Sequence, residues 1–466
     1  MASKKLPLSD TSGANGKTVD ATPTKDLFIK MLTRDIALIP SIIDLVDNCC
    51  DGARRIRGDR DYNDLWARLD ISQQQFRLSD NCGGISVDTA RKYAFRFGRA
   101  KGAPLIKHSV GEFGVGMKRA IFKLGNYFRV ESTTSTSRFV IEHNITEWAK
   151  TPVWEYRFKE LQENQKFPSD QRGTTITVED LHTDVSNSFA LDHFQPSLIK
   201  ELRVKLQDPI SKGLSVTLNG IPVDADHLTL LQSTRLLPAY KQLRIPESGP
   251  KPVRVRMYCG LAVSGDRRAD RAAAGWHIFC NGRLVLEGDK TSVTGWGEEV
   301  DEISVPGFHG QYNSLRGYAF FDCDDPGRLP WNTTKTGINT DSAVYRGAKL
   351  EMMKLMLPVK NFLDQLKKEK EQKAKEGRTG EEEKGPYEQV VTNAKQASLP
   401  TIRTKPVFTV NLARPSAPSR GPIMQRIQYD KPLSEVQEVR TKLKATSWKQ
   451  VGEKTFEYFY NAEVAE

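Results

Sequence analysis

The sequence predicts an α+β fold: two folded domains followed by a basic, partly disordered C-terminal region. Three observations carry this. Helical and strand patterns alternate from Asp26 to Thr183, where nearly all the unusual glycines also lie. Strand patterns dominate from Ser186 to Leu366. The run KKEKEQKAKEGRTGEEEKGP then carries many charges and almost no apolar residues. These divisions give a disordered leader (1–25), a first domain (26–185), a β-rich second domain (186–366), a charged linker in preference to a solvated helix extension (367–400), and a tail with a helical segment (401–466).

Bulk properties fit this division. A chain of 466 residues can hold two or three cores, and 38% apolar with 27% charged residues is ordinary for a globular protein. No apolar run is long enough to cross a bilayer, and the N-terminus lacks the apolar centre of a signal peptide. The six cysteines form no CxxC pair, which fits a reducing cytoplasm and argues against a disulfide framework or zinc site. A net charge of +11 permits an acidic partner such as DNA. The segment TSGANGKT resembles a phosphate loop but has Thr11 where that loop needs glycine, and no strand precedes it.

Within the first domain, four segments stand out. In IPSIIDLVDNCCDGARRI, Ile39, Ile42, Ile43 and Val46 form the apolar stripe of a helix, and Asp44, Asn48 and Asp51 project from another face. A carboxylate one turn from an amide suits a site where the acid orients water and the amide oxygen holds Mg²⁺. In FRLSDNCGGIS, a short strand ends at Asp80 before a turn at Gly83 and Gly84; an aspartate there can accept a hydrogen bond from an adenine amino group. In HSVGEFGVGMKRAIFKLG, Gly111, Gly114 and Gly116 precede a helix, an arrangement whose backbone N–H groups bind phosphate. Lys118 lies in its first turn, either held by phosphate or pointing to solvent, and GRAKGAPLIK upstream reads as a mobile lid. In RGTTITVEDL, Gly173 leads into a strand on which Thr174 or Thr175 could place a hydroxyl near adenine.

In the second domain, Val253, Val255 and Met257 alternate with Arg254 and Arg256 as in a half-buried strand. Asn281-Gly282 between alternating runs marks a hairpin. Leu350, Met353, Leu357 and Leu366 indicate a helix bent at Pro358. The tail ends in a helical pair, with Val436, Val439 and Leu443 on one face and aromatics at Phe456, Tyr458, Phe459 and Tyr460.

Together and in order, the four segments resemble the GHKL ATPase superfamily, which includes gyrase B, the MutL mismatch-repair proteins, the ninety-kilodalton heat-shock chaperones and the microrchidia (MORC) ATPases. The resemblance spans Asp26 to Thr183. It implies a Bergerat two-layer α/β sandwich that binds ATP and Mg²⁺, followed by a transducer-like domain. By resemblance, Asp44 is the general base and Asn48 the Mg²⁺ ligand, with Asp51 completing the helix motif. Asp80 reads adenine beside Gly84; Gly111, Gly114, Val115, Gly116 and Lys118 close over the phosphates; Thr174 supports the base; and Lys335, in GRLPWNTTKTGINTDS, reaches the γ-phosphate. Two positions depart from the family. The base is usually glutamate, so with Asp44 either the helix sits closer to the γ-phosphate or hydrolysis is slow or absent. Cys82 replaces the first glycine of the adenine motif, leaving Gly83 to absorb the turn.

The implied activity is ATP hydrolysis driving homodimerisation or a conformational clamp on DNA, as in MORC and MutL. The tail offers a site for a protein partner. Alternatives are a chaperone-like clamp on proteins and a nucleotide-gated scaffold with little turnover. A histidine kinase fits least, since no phosphoacceptor-histidine helix precedes the pocket.

Overall fold

The computed structural model describes residues 24–34, 36–58, 61–98, 110, 115–246, 251–263, 265–332, 334–375, 384–412 and 427–464. Met1–Leu412 forms one compact unit and Ala413–Glu466 another. The expected leader and the phosphate-loop look-alike fall almost wholly outside the described residues, as does most of the expected lid.

The first domain opens with α1 (Lys25–Arg34) and α2 (Leu38–Arg57). The chain continues through β1 (Trp66–Ile71) and β2 (Gln75–Asp80) to α3 (Gly116–Leu124). Strands β3 (Gly125–Thr133), β4 (Ser137–Asn144), β5 (Phe158–Glu163) and β6 (Gly173–Leu181) follow, then α4 (Phe194–Lys205), β7 (Ser215–Leu218) and β8 (Ile221–Pro222). The strands form one sheet in the order β5-β4-β3-β6-β2-β1-β7-β8, antiparallel except where β1 meets β7.

Alternation writes the layering. Phe76 and Leu78 on β2, and Ile176 and Val178 on β6, point to the same core as Ile42, Ile43, Leu45 and Val46 of α2. Each such side chain contributes roughly 1.5–3 kcal/mol when fully buried. The same core includes Leu198 and Leu202 of α4 and Val216 and Leu218 of β7. The first domain therefore extends to about residue 223 and does not end at 185. The segment after 185 carried no glycine signature, and the pairing of β7 with β1 is a long-range contact.

The second domain is built on a five-stranded sheet of β11 (Ala239–Ile245), β12 (Val253–Leu261), β13 (Gly275–Cys280), β14 (Arg283–Asp289) and β15 (Leu315–Asp322). Two short strands, β9 (Thr229–Gln232) and β10 (Leu236–Leu237), come before it. The sheet order is β11-β12-β15-β13-β14. The alternation of Val253, Val255 and Met257 is the buried side of β12. Helix α5 (Ala343–Lys375) packs on this sheet and runs through Pro358.

The charged stretch is structured at its two described ends. Its first residues are the end of α5, whose Glu369 accepts the backbone N–H groups of Tyr387 and Glu388 in α6 (Pro386–Thr392). Beyond α6, β16 (Lys395–Ser398) pairs with β9, and β17 (Thr409–Val410) pairs with β10. Residues 384–412 thus belong to the second domain, held by backbone pairing that a charge count does not register. In the other unit, α7 (Leu433–Lys442) and α8 (Trp448–Glu463) are the expected helical pair. Phe456, Tyr458, Phe459 and Tyr460 are exposed there.

The β13–β14 hairpin turns at Asn281 (φ 47°) and Gly282 (φ 79°), the positive pair that a two-residue hairpin requires. Asn281 locks the tip against the end of β15, accepting the Cys323 N–H and donating to its carbonyl. A Cβ on Gly282 would stand 2.5 Å from Asp208 Oδ2 and 2.9 Å from Arg54 Nη2, whereas Gly220 (φ 78°) faces open space. A left-handed alanine costs about 1–2 kcal/mol by itself. Gly282→Ala is therefore expected to destabilise the unit more than Gly220→Ala by roughly 1–3 kcal/mol in urea unfolding, since it adds overpacking to the same backbone cost. Equal losses would mean the tip is not tightly held.

Candidate functional site

Asp44, Asp47, Asp51 and Arg54 follow one another on α2 at spacings of three, four and three, so they line one stripe of the helix. All four are buried. Between residues 38 and 54, Asn48 is the exposed position. The three predicted residues of the helix motif therefore part company: Asp44 and Asp51 face protein, and Asn48 is open to a ligand.

Three cations converge on Asp44 and Asp47. Arg119, from the first turns of α3, donates to Asp44 Oδ2 at 2.5 Å. Lys335 Nζ lies 3.5 Å from Asp44 Oδ1 and 3.3 Å from Asp47 Oδ2. Arg283, at the start of β14, donates to Asp47 Oδ2 and lies 3.8 Å from Asp44 Oδ1. Burial raises the Asp44 carboxyl, but Lys335, Arg283 and Arg119 outweigh it and hold the group below the usual carboxylate range. Two carboxylates facing three cations leave one positive charge in excess. Asp44 Oδ1, Arg119 Nε and Arg283 Nε are buried without a hydrogen-bond partner. Surplus positive charge with unmet donors and an unmet acceptor suits a phosphate and the water that attacks it.

Lys335 arrives from the loop that precedes α5. Its backbone is left-handed (φ 55°), uncommon for a non-glycine residue. The loop holds it there through Lys335 N–H to the Asn332 carbonyl (3.0 Å), Thr336 N–H to Asn332 Oδ1 (3.0 Å) and Asn332 N–H to the Gly337 carbonyl (2.9 Å). The loop thus carries Lys335 from the second domain to Asp44 and Asp47 of the first.

Asp51 is occupied differently from its neighbours. Its Oδ1 accepts the Val110 N–H at 2.8 Å and Arg54 Nη1 at 3.3 Å. It anchors the backbone next to the glycine loop rather than facing a ligand. Arg54 in turn donates to the Asn281 carbonyl at 2.6 Å and lies 3.8 Å from Asp208. Gly111 and Gly114 lie outside the described residues. Val115 precedes α3 and Gly116 opens it, a Cβ on Gly116 standing 3.6 Å from Asp44 Oδ2. Lys118 neither points to solvent nor stands free for phosphate. It is buried and donates to the Ala94 carbonyl at 2.8 Å, and burial lowers its ammonium to about 7.

The expected adenine residues lie where β2 ends beside β6, with Asp80 opposite Thr174. Asp80 Oδ1 accepts the Cys82 N–H at 2.7 Å, and Cys49 Sγ lies 3.4 Å from Oδ2. Thr174 Oγ1 is 2.9 Å from Ser132 Oγ, which also accepts the Ile85 N–H at 2.6 Å. Gly83 (φ 83°) and Gly84 (φ 70°) take the left-handed positions, so Cys82 needs none. A Cβ on Gly84 would stand 2.1 Å from the Thr133 carbonyl. Gly52 of α2 has the matching constraint: its Cβ would meet the Cys82 carbonyl at 2.7 Å.

These residues fit a Mg²⁺-nucleotide. Among the described residues no group of three or more His, Cys, Asp or Glu could hold a metal, so Asn48 would share the ion with phosphates and water, as Mg²⁺ commonly is. Sequence reasoning missed Asp47, Arg119 and Arg283. Asp47 had a signal, because it extends the Asp44–Asp51 stripe at helical spacing; nothing local links Arg283 to α2.

Residues 38–174 match the family model of histidine kinase-, DNA gyrase B- and HSP90-like ATPases. No curated protein matches the chain.

Burial raises the Asp80 carboxyl to about 6. Because this exceeds the unfolded value of about 4, the linked stability is fully present below that value and lost as pH rises through about 6. Asp80→Asn keeps an acceptor for Cys82 and removes the buried charge. The nucleotide-free variant is expected to have a higher Tm than the parent near pH 8, the gap closing by about pH 4–5. A gap independent of pH would show that Asp80 is not strained by its charge.

Proposed function

We propose that residues 38–174, which match the ATPase family model, form a GHKL-type domain that binds Mg²⁺-ATP at this site and hydrolyses it, with the second domain as a transducer. The carrying observation is Lys335, buried between Asp44 and Asp47 although it belongs to the other domain. Asp80, Gly84 and Thr174 would receive adenine and the start of α3 the phosphates, and Asn48 would hold a Mg²⁺ that would supply neutralisation of the phosphate charge. Asp44 orients the attacking water, and Lys335 contacts the γ-phosphate. Nucleotide state is thereby tied to the placement of the second domain. The mechanical output is ATP-driven homodimerisation or clamp closure on DNA, of the MORC and MutL kind, which the net charge of +11 supports.

A second reading has its own observation. Arg119 at 2.5 Å and the lowered Asp44 carboxyl make the base weak in this arrangement, which favours a nucleotide-gated scaffold with little turnover.

ATP binding and steady-state turnover measured together separate the two. Asp44→Ala is expected to keep binding and lose turnover by about 10²–10⁴-fold. Binding by the parent chain without turnover selects the scaffold, and no binding at all removes both readings. DNA retention in a gel shift is expected to require ATP and to weaken steeply with salt; retention absent even at low salt would remove DNA as the target.

A further inference from the structure

The stripe on α2 is more than a mount for the base. Asp47 lies one turn from Asp44, is 2% exposed, and takes up both cations that the second domain sends across: Arg283 and Lys335. Arg283 follows directly on the hairpin tip, whose Asn281 carbonyl is held by Arg54 about two turns further along α2. The tip is itself fixed to the end of β15 through Asn281 and Cys323. The loop carrying Lys335 starts just beyond β15, after the short turn Pro326–Arg328. A chain of bonds thus runs from α2 through Asp47 and Arg283 into the strand ends that support the Lys335 loop.

The charge arrangement gives Asp47 a second task. Lys335 is shared between Asp44 and Asp47, at 3.5 and 3.3 Å, so Asp47 competes with the base for it. Without Asp47, Lys335 and Arg283 would both have Asp44 as their nearest carboxylate. With Asp47 in place, Arg283 is paired through its Nη1 and Lys335 is held between two weak contacts, from which an arriving phosphate can draw it.

We propose that Asp47 and Arg283 are a positioning pair that docks the second domain on α2 and poises Lys335 for the γ-phosphate, so that the protein distinguishes a nucleoside triphosphate from a diphosphate. The pair touches neither nucleotide nor water and acts through Lys335. This inference rests on the reading of the site as an ATP pocket.

Removing one partner of a buried ion pair strands the other charge and can unfold a protein. The test therefore uses the charge-balanced double variant Asp47→Asn/Arg283→Gln in the full chain, beside Lys335→Ala and the triple combination. Calorimetric titration with Mg²⁺-ATP and Mg²⁺-ADP gives the ATP-over-ADP affinity ratio, and thermal melts check that each variant is folded. The double variant is expected to bind ADP and lose the ratio by about tenfold, the loss of one charge-assisted contact. Lys335→Ala is expected to lose as much, and the triple variant no more, because both changes act through one lysine. An unchanged ratio in the folded double variant, a parent ratio of one, or losses that multiply in the triple variant would each overturn the proposal. Failure of the underlying pocket reading shows separately, as a parent chain that binds neither nucleotide.

Discussion

A buried exchange of charge between α2 and the second domain governs the rest of the molecule. Asp44 and Asp47 are nearly inaccessible, and Arg119, Arg283 and Lys335 meet them there. Ion pairs of this kind add little stability over well-packed apolar residues, but losing one partner costs about 3–5 kcal/mol. The cluster therefore works less as glue than as a register: it admits one placement of the hairpin tip and of the Lys335 loop against the helix. Because the positive charges outnumber the carboxylates, the same register leaves room for one more anion.

The two ends of the site are built on different physics. At the Asp80 end, the governing feature is close backbone approach. Gly84 and Gly52 are required by carbonyls that stand where a Cβ would go, and burial raises the Asp80 carboxyl beside them. At the Asp44 end, long cationic side chains converge from three separate segments, and the positions of Arg283 and Lys335 depend on how the domains meet. The first end is local and stiff. The second can be rearranged by anything that shifts the second domain.

Much of the first end was legible in the sequence. Asp80 and Thr174 lie on adjacent strands whose alternation is visible, and the turn at Gly83 and Gly84 absorbs the cysteine at position 82 as the neighbouring glycine suggested. The β13–β14 hairpin was equally plain from Asn281-Gly282. Other features were not legible. Lys118 looked like a surface or phosphate lysine and is instead bound to the Ala94 carbonyl. The charged stretch looked like a linker, yet α5 continues into it and residues 395–398 close a strand pair with β9. The first domain runs past its expected end because β7 joins its sheet beside β1.

What the sequence determined by itself is everything that depends on neighbours in the chain: the amphipathic period of α2, the left-handed glycines of the turns, and the ordered residues of the nucleotide motif. What only the tertiary structure decided is which charges meet. Asp47 and Arg283 stand 236 residues apart, and Asp47 and Lys335 stand 288 apart. Short-range periodicity reports one face of one helix and cannot say what is brought against it. That choice falls to the packing of two cores, where a buried carboxylate is tolerated only if a cation from elsewhere arrives to meet it.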